Sequence, residues 1–151
     1  MRGAADRAAS LDLPRLARRL RAVSDWTRQP DIVEWLRPAL RAAGGIRIGY
    51  FGTGTAAALV AATGDAGVGA IVSRDGRPDL AAAVLPLVTT PTLLIAGGED
   101  ASAIPANRSA CERLGGVRKL HVLGEAGPGA VGEVVRLATR WFERYLVRGG
   151  R

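Results

Sequence analysis

Four short segments rich in branched apolar residues recur at similar intervals along the second two thirds of the chain. They are residues 46–51, 68–73, 92–96 and 119–123, and they begin 22, 24 and 27 residues apart. A helical pattern occupies each interval, and another follows the last segment. Strands that alternate with helices at this spacing are typical of β-α-β units. The sequence therefore predicts an α/β fold with a parallel sheet of about four strands flanked by helices.

Two helices are predicted ahead of the first strand. Residues 12–26 have an apolar face at helical spacing, with Asp12 as the N-cap. Residues 31–45 form a second helical segment, capped by Asp31 and disturbed by Pro38. The other helices are predicted at residues 55–63, 79–88, 103–115 and 129–147.

The last predicted helix has the longest apolar stripe. Its members recur at helical spacing, which indicates a helix packed against the sheet. They are Val131, Val134, Val135, Ala138, Phe142 and Tyr145.

A single domain is predicted over residues 10–147, with tails at residues 1–9 and 148–151 that we expect to fray. A chain of 151 residues can bury one core. Its 48% hydrophobic and 23% charged residues are ordinary for a globular protein.

The net charge of +7 comes almost wholly from arginine, which raises the question of nucleic-acid binding. The densest group lies on the first predicted helix, without interleaved aromatic residues. We interpret it as a solvated helix face, so no nucleic-acid partner is expected. The group consists of Arg15, Arg18, Arg19 and Arg21.

Cysteine usage and hydropathy give expectations for compartment and cofactors. Cys111 is the only cysteine, which excludes an internal disulfide and a thiolate metal cluster. The N-terminus lacks the apolar core of a secretory signal, and no apolar run reaches the length of a membrane span. We expect a cytoplasmic protein with no membrane partner, no metal and no cofactor.

The stretch "GYFGTGTAAAL", residues 49–59, predicts a strand, a glycine-rich turn and a helix. Gly52, Gly54 and Ala57 fit G-x-G-x-x-A, the loop that holds a dinucleotide pyrophosphate at a helix N-terminus. Asp75 stands 21 residues after Gly54, close to where such a site places its ribose-binding acid. A dinucleotide or phosphate site is therefore one interpretation of this turn.

A wider set of segments resembles a known family. Together "IGYFGTGTAAALVAA", "PTLLIAGGED" and "VVRLATRWFERYL" resemble the dienelactone-hydrolase-like branch of the α/β-hydrolase superfamily, in a likeness that runs over residues 11–147. In that family the turn after the strand of the first of these segments carries the nucleophilic serine. The resemblance places Gly54 at the nucleophile position and Thr55 at the position whose backbone N–H serves the oxyanion hole. Glycine tolerates the strained backbone of such a turn but has no attacking hydroxyl.

The resemblance also assigns the acid and the histidine of the triad. Asp100 stands at the acid position, whose role is to orient the histidine. The family's histidine should follow the last strand, where this chain reads "GEAGPGAVGEVV" and has none. The only histidine, His121, lies inside a predicted strand. The resemblance therefore implies a hydrolase-like protein without catalysis, in which Asp100 is a solvated carboxylate or a cap for the helix that begins near Ile104.

Other polar residues fall at the predicted carboxyl edge of the sheet. Thr53 and Thr55 flank the nucleophile position, and neither has an obvious base. Ser73, Arg74 and Asp75 follow the second strand, where we prefer a local ion pair to an anion site. Both groups of positions are candidates for the site.

The resemblance implies several strands ahead of residues 46–51 that this sequence does not contain. The segment should then be a sheet edge that is apolar on both sides, and such an edge tends to pair with another chain or to aggregate. We therefore expect self-association through residues 46–51, a partner chain, or an upstream portion encoded separately.

Three functions stay open at this point. The first is an α/β-hydrolase-like protein that has lost catalysis. The second is an ester or lactone hydrolase that uses unidentified residues. The third is a dinucleotide- or phosphate-binding domain built on the glycine turn.

Overall fold

A parallel sheet of four strands in the order β1-β2-β3-β4 organises the chain, so the predicted α/β fold is confirmed. The structure is a computed structural model that describes residues 12–43, 46–53, 55–98, 100–125 and 128–147. Gly54 and the predicted tails lie outside the described residues. The strands are β1 (Ile48–Gly52), β2 (Val68–Arg74), β3 (Thr92–Gly98) and β4 (Arg118–Glu125).

Five α-helices flank the sheet in the described part of the chain. They are α1 (Leu13–Thr27), α2 (Pro30–Ala43), α3 (Thr55–Ala62), α4 (Ala103–Arg113) and α5 (Pro128–Phe142), which continues as a π-helical turn over Glu143–Val147. None of these helices combines the length and hydropathy needed to cross a bilayer.

The helix predicted over residues 79–88 is wrong. Two short 3₁₀ turns, Pro78–Ala81 and Leu85–Leu87, replace it. Pro86 lies in the second turn, where it lacks the N–H of a continuing helix and its ring would meet the carbonyl one turn earlier. The apolar residues of this segment are still buried, at Ala81 and Leu85.

The core consists of two layers, one on each face of the sheet. Ile71 and Leu94 point into the layer beneath α1, α3 and α4. Val72 and Ile95, the next residues along the same strands, point into the layer beneath α5. Because β2 and β3 are buried on both faces, they have continuous apolar runs instead of an alternating pattern.

The buried stripe of α5 differs from the predicted one. Val134, Ala138 and Tyr145 are buried as predicted, and Trp141 joins them. Val131 and Val135 are 58% and 57% exposed. Successive residues of an α-helix are rotated by about 100°, so Val135 lies roughly a quarter turn from Val134, which faces the sheet. This rotation explains the exposure of Val135. The valine pair therefore contributes to the surface of α5 instead of the core.

The capping of α1 is confirmed. Asp12 Oδ1 accepts a hydrogen bond from the N–H of Arg15 at 2.9 Å. The helix α2 begins at Pro30, one residue before the predicted cap, which suits proline because the first helical N–H has no acceptor. It runs through Pro38 to Ala43, so this proline does not end the helix.

One arginine of α1 is not part of a solvated face. The guanidinium of Arg21 donates hydrogen bonds to the carbonyls of Val60, Ala61 and Thr63, at 2.6, 2.9 and 3.0 Å. These carbonyls lie at the C-terminal end of α3, where a cation also meets the negative end of the helix dipole. The side chain therefore holds α1 against α3, and the interpretation of the arginine group as a solvated face is wrong for this member.

We expect Arg21→Ala to lower the free energy of unfolding by about 1–3 kcal/mol, because it removes charge-assisted hydrogen bonds from the end of α3. The matched variant Arg18→Ala removes an exposed arginine from the same helix, and we expect it to change stability by no more than about 0.5 kcal/mol. Urea denaturation followed by circular dichroism measures both. Equal losses in the two variants would contradict the assigned contact.

Candidate functional site

Polar side chains follow the carboxyl ends of the first three strands. Thr53 follows β1, Asp75 follows β2 and Asp100 follows β3. A cleft of about 200 Å³ opens beside the first two of these loops, and Thr53, Thr55, Asp75 and Arg77 contribute to its lining. In parallel α/β sheets ligands bind at this edge. This edge is therefore the candidate functional site.

The turn after β1 carries two of the predicted site positions. Gly54, at the nucleophile position, lies outside the described residues. Thr55 is the first residue of α3, so its backbone N–H has no acceptor within the helix. Its side chain points inward and is 2% exposed, and its hydroxyl hydrogen-bonds to the hydroxyl of Ser73.

The hydroxyl pair of Thr55 and Ser73 is closed off by the loop after β2. A Cβ atom added to Gly76 would overlap Thr55 Oγ1 and would lie 2.7 Å from Ser73 Oγ. Ser73 itself is fully buried. The two hydroxyls therefore hold the start of α3 against the end of β2, and their burial and mutual hydrogen bond make both poor nucleophiles.

The loop after β2 is fixed to β3 through Asp75. This residue has a left-handed backbone with φ of 49°, which aspartate tolerates better than most residues. Its N–H donates to Ile95 O at 2.8 Å, and its carboxylate accepts from the N–H of Gly97 at 3.1 Å. Arg74 Nε lies 3.5 Å from the other carboxylate oxygen, so the preferred local ion pair is confirmed. A carboxylate engaged in this way is not free to hold a ribose.

Asp100 lies on the surface at the start of the segment that leads into α4. Its Oδ1 accepts from the N–H of Ser102 at 3.1 Å and also from the Ser102 hydroxyl. The helix begins at the next residue, Ala103. The Asp100 side chain therefore stabilises the turn that leads into α4, as aspartate often does at such positions.

His121 lies far from this edge. It is in β4, the outer strand opposite β1, and its backbone pairs in register with Ile95 in the middle of β3. Three strand spacings separate β4 from β1, about 14 Å, and the carboxyl end of β3 lies about 10 Å further along. The imidazole Nε2 is 2.9 Å from Glu133 Oε1 on α5. The structure does not bring this histidine to Asp100 or to the turn after β1.

Two further groups at the site lack any strong sequence signal. Arg77 donates to both carboxylate oxygens of Asp79, at 2.9 and 2.7 Å. The hydrogen bond and charge of Asp79 raise the pKa of Arg77, and the same hydrogen bond lowers the pKa of Asp79. Asn107 is fully buried on α4 and donates to Gly76 O at 3.0 Å, which fixes the loop that covers the hydroxyl pair. The only sequence signal for the contact between Arg77 and Asp79 is the two-residue spacing of opposite charges in "RPD".

No activated nucleophile or metal centre stands among the residues that the structure describes. Cys111 is half-buried on α4, and burial raises the pKa of its thiol. Reactive cysteines have the opposite shift, because the thiolate is the nucleophile. In the described ranges no three His, Cys, Asp or Glu residues lie close enough to hold a metal ion.

Comparisons with known proteins agree with this architecture. No family model matches the chain. A crystal structure of dienelactone hydrolase from Anabaena variabilis ATCC 29413 is 41% identical, with a TM-score of 0.76, over 89% of this chain and 62% of that one. An acylaminoacyl peptidase from Pyrococcus horikoshii, 19% identical with a TM-score of 0.51 over 78% of this chain and 27% of that one, shares the fold alone.

The fold is that of an α/β-hydrolase. The resemblance to the dienelactone-hydrolase-like branch noted in the sequence is confirmed by the first structural neighbour.

Two curated relatives carry a different name. Proteins of Mycobacterium tuberculosis strains CDC 1551 and H37Rv, each named "Putative phosphoribosyl transferase", are 39% identical to this chain over 154 aligned positions. The alignment takes in 96% of this chain and 32% of each relative. The chain therefore spans about a third of the length of these relatives.

We expect Gly76→Ala to lower the free energy of unfolding by about 1–3 kcal/mol, because the new methyl group overlaps the buried hydroxyl of Thr55. Gly124→Ala is the matched control, since a Cβ there meets nothing within 4 Å. Thermal and urea denaturation measure both variants. A stability of Gly76→Ala equal to that of the control would show that the loop does not enclose the hydroxyl pair.

Proposed function

We propose that the chain is an α/β-hydrolase-like module that does not hydrolyse esters or lactones. The position of His121 carries this proposal. It is the only histidine of the chain, and it lies mid-strand on β4, hydrogen-bonded to Glu133. A serine-type hydrolase needs a base within hydrogen-bond reach of its nucleophile, and this imidazole is too far from the turn after β1.

The state of the other nucleophile candidates supports the same proposal. Gly54 replaces the hydroxyl-bearing residue that the family has at its turn. The hydroxyls of Thr55 and Ser73 are buried and bonded to each other. Cys111 has a raised pKa on a helix without an adjacent base. On this proposal the chain retains the fold of the family without the groups that perform its chemistry.

We expect the purified chain to hydrolyse p-nitrophenyl acetate and an enol lactone no faster than a heat-denatured sample. Loss of the serine or the histidine from a serine-nucleophile enzyme lowers turnover by on the order of a million-fold. Gly54→Ser should stay inactive, because a restored hydroxyl still has no base to take its proton. His121→Gln, which removes the only imidazole, should be indistinguishable from the unchanged chain.

The measurement is the release of p-nitrophenol, followed at 405 nm. It uses protein that has been purified twice by independent methods. Saturable turnover that persists through both purifications would refute the proposal and would favour a hydrolase with other catalytic residues. Turnover lost in His121→Gln would identify the histidine as its base.

The name of the mycobacterial relatives favours a second candidate function, the binding of a phosphorylated ribose. Two observations weigh against assigning it to this chain. The shared region is only 32% of each relative and has a hydrolase fold. The carboxylates of Asp75, Asp79 and Asp100 outnumber the guanidinium groups of Arg74 and Arg77 at the carboxyl edge. A polyanion is repelled by such an excess of negative charge.

We expect isothermal titration calorimetry to show no saturable binding of ribose 5-phosphate, NAD or FAD at sub-millimolar concentration. The control is Gly54→Val, whose side chain would block backbone approach to a pyrophosphate at this turn. Micromolar binding by the unchanged chain that is lost in Gly54→Val would establish the nucleotide function and overturn our choice.

A module without chemistry acts by binding, and we propose that its binding surface is the open edge of β1. Among the described residues this strand pairs with β2 alone. Self-association through residues 46–51 is one way to cover it, in a cytoplasmic protein without nucleic-acid or membrane contacts.

A further inference from the structure

A pocket of about 570 Å³ opens at the amino ends of the strands, at the opposite end of the sheet from the candidate functional site. The segment after α3, the loop ahead of β3 and the π-helical turn contribute to its walls. In the described part of the chain no residue of β1 lines it, so its shape does not depend on the open side of that strand. A pocket of this volume suits a small organic molecule.

Small residues keep this pocket open. Gly64 and Ala66 belong to its lining, and a Cβ added to Gly64 would meet nothing within 4 Å. Gly64 has a left-handed backbone with φ of 84°, a conformation that glycine adopts with little strain. Val68, Pro91 and Val117 contribute apolar surface to the lining. The pocket therefore has room and apolar contacts for the body of a ligand.

A buried hydroxyl in the lining lacks a close partner. Thr90 is 8% exposed, and its hydroxyl lies 3.5 Å from Val68 O, which is long for an O–H···O hydrogen bond. The backbone around it is fixed, because Thr90 O accepts from the Thr92 hydroxyl at 2.9 Å and Pro91 O accepts from the N–H of Ile71 at 2.9 Å. Buried polar groups are normally hydrogen-bonded. The Thr90 hydroxyl is therefore held in place and available to a ligand.

The uncompensated charge of the pocket is positive. Arg47 leans over β2, since its Cβ lies 3.8 Å from the position of a Cβ on Gly69. Its guanidinium donates to Tyr145 O at 3.4 Å, and it has no ion pair within the described ranges. The other charged residue of the lining is Asp65, whose carboxylate is held by Arg28 at 3.0 and 3.2 Å. Arg47 therefore favours a negatively charged group in the ligand.

We propose that this pocket binds a small monocarboxylic acid with an apolar body. The carboxylate pairs with the guanidinium of Arg47, whose planar fork matches it, and the Thr90 hydroxyl donates to an oxygen of the ligand. The body lies against Pro91 and Val117. Asp65 in the same lining repels a second negative charge, so one carboxylate fits better than a phosphate dianion. Because the pocket lies at the far end of the strands, its occupancy does not depend on whether the chain hydrolyses esters.

The test uses three probes that share a phenyl ring and differ in charge, namely benzoate, benzamide and the benzylammonium ion. Each is titrated into the ¹⁵N-labelled chain, and the backbone amide chemical shifts are followed by NMR. Benzoate should saturate with a dissociation constant of the order of 1 mM, at least about ten-fold tighter than the other two probes. Its largest shifts should fall at Ala66, Thr90 and Val117, and its affinity should weaken as salt is raised.

Variants of the two polar groups test their roles separately. Arg47→Gln should weaken benzoate binding by at least about ten-fold. Arg136→Gln makes the same change of charge on the exposed side of α5, outside the lining, and should alter the affinity by less than about two-fold. Ala66→Phe places a ring in the pocket from an exposed position and should also abolish binding.

Thr90→Val keeps the shape of the side chain and removes the hydroxyl. We expect it to weaken benzoate binding by about three-fold or more. It should leave the midpoint of urea denaturation unchanged, because the hydroxyl has no close acceptor in the unliganded chain. Thr92→Val is the matched control for a structural hydroxyl, and it should lower that midpoint because it removes a hydrogen bond of 2.9 Å.

Four results would overturn this assignment. The first is no saturable shift with benzoate up to about 10 mM. The second is binding of the benzylammonium ion as tight as that of benzoate, since Asp65 would then be the recognising group. The third is benzoate binding that Arg47→Gln and Thr90→Val both leave unchanged. The fourth is a set of shifts centred on Thr53 and Asp75, which would place the acid at the candidate functional site instead.

Discussion

The burial of β2 and β3 on both faces is the constraint on which the rest of the structure depends. Ile71, Leu94 and Ile95 are at most 1% exposed, and this requires helices above and below the sheet. Small residues let those helices approach closely. A Cβ on Gly49 or Gly69 would lie within 3 Å of the side chains of Phe142 or Leu146, so glycine sets the distance between the sheet and the helix beyond it.

Most of the fold could be predicted from the sequence because it rests on local patterns. The four strands are found within about two residues of their predicted positions, since continuous apolar runs bounded by turn residues leave few alternatives. The errors occurred where a local pattern competes with a distant contact or a backbone constraint. Pro86 prevented the helix predicted over residues 79–88. Arginine is a residue type that usually lies on the surface. Arg21 caps the C-terminal end of α3 only because the fold places that helix beside α1.

The candidate site was less accessible to sequence reasoning. The ion pair of Arg74 and Asp75 was predictable because the residues are adjacent. The contact between Thr55 and Ser73 joins residues 18 positions apart, and the cover that Gly76 gives them depends on Asn107 of a later helix. A sequence without an alignment shows which residues stand near the carboxyl edge. It does not show which hydroxyls face the cleft and which face each other.

The sheet order has a consequence for how the chain is made. The strands are arranged in space in the order in which they occur in sequence, and each joins its predecessor through a single crossover. A strand that leaves the ribosome can therefore dock on the one before it without waiting for a later segment. Contacts between neighbouring strands close loops of similar, moderate length, which favours stepwise growth over a late search for distant partners. Among the four strands described, growth therefore runs in one direction across the sheet, from β1 to β4.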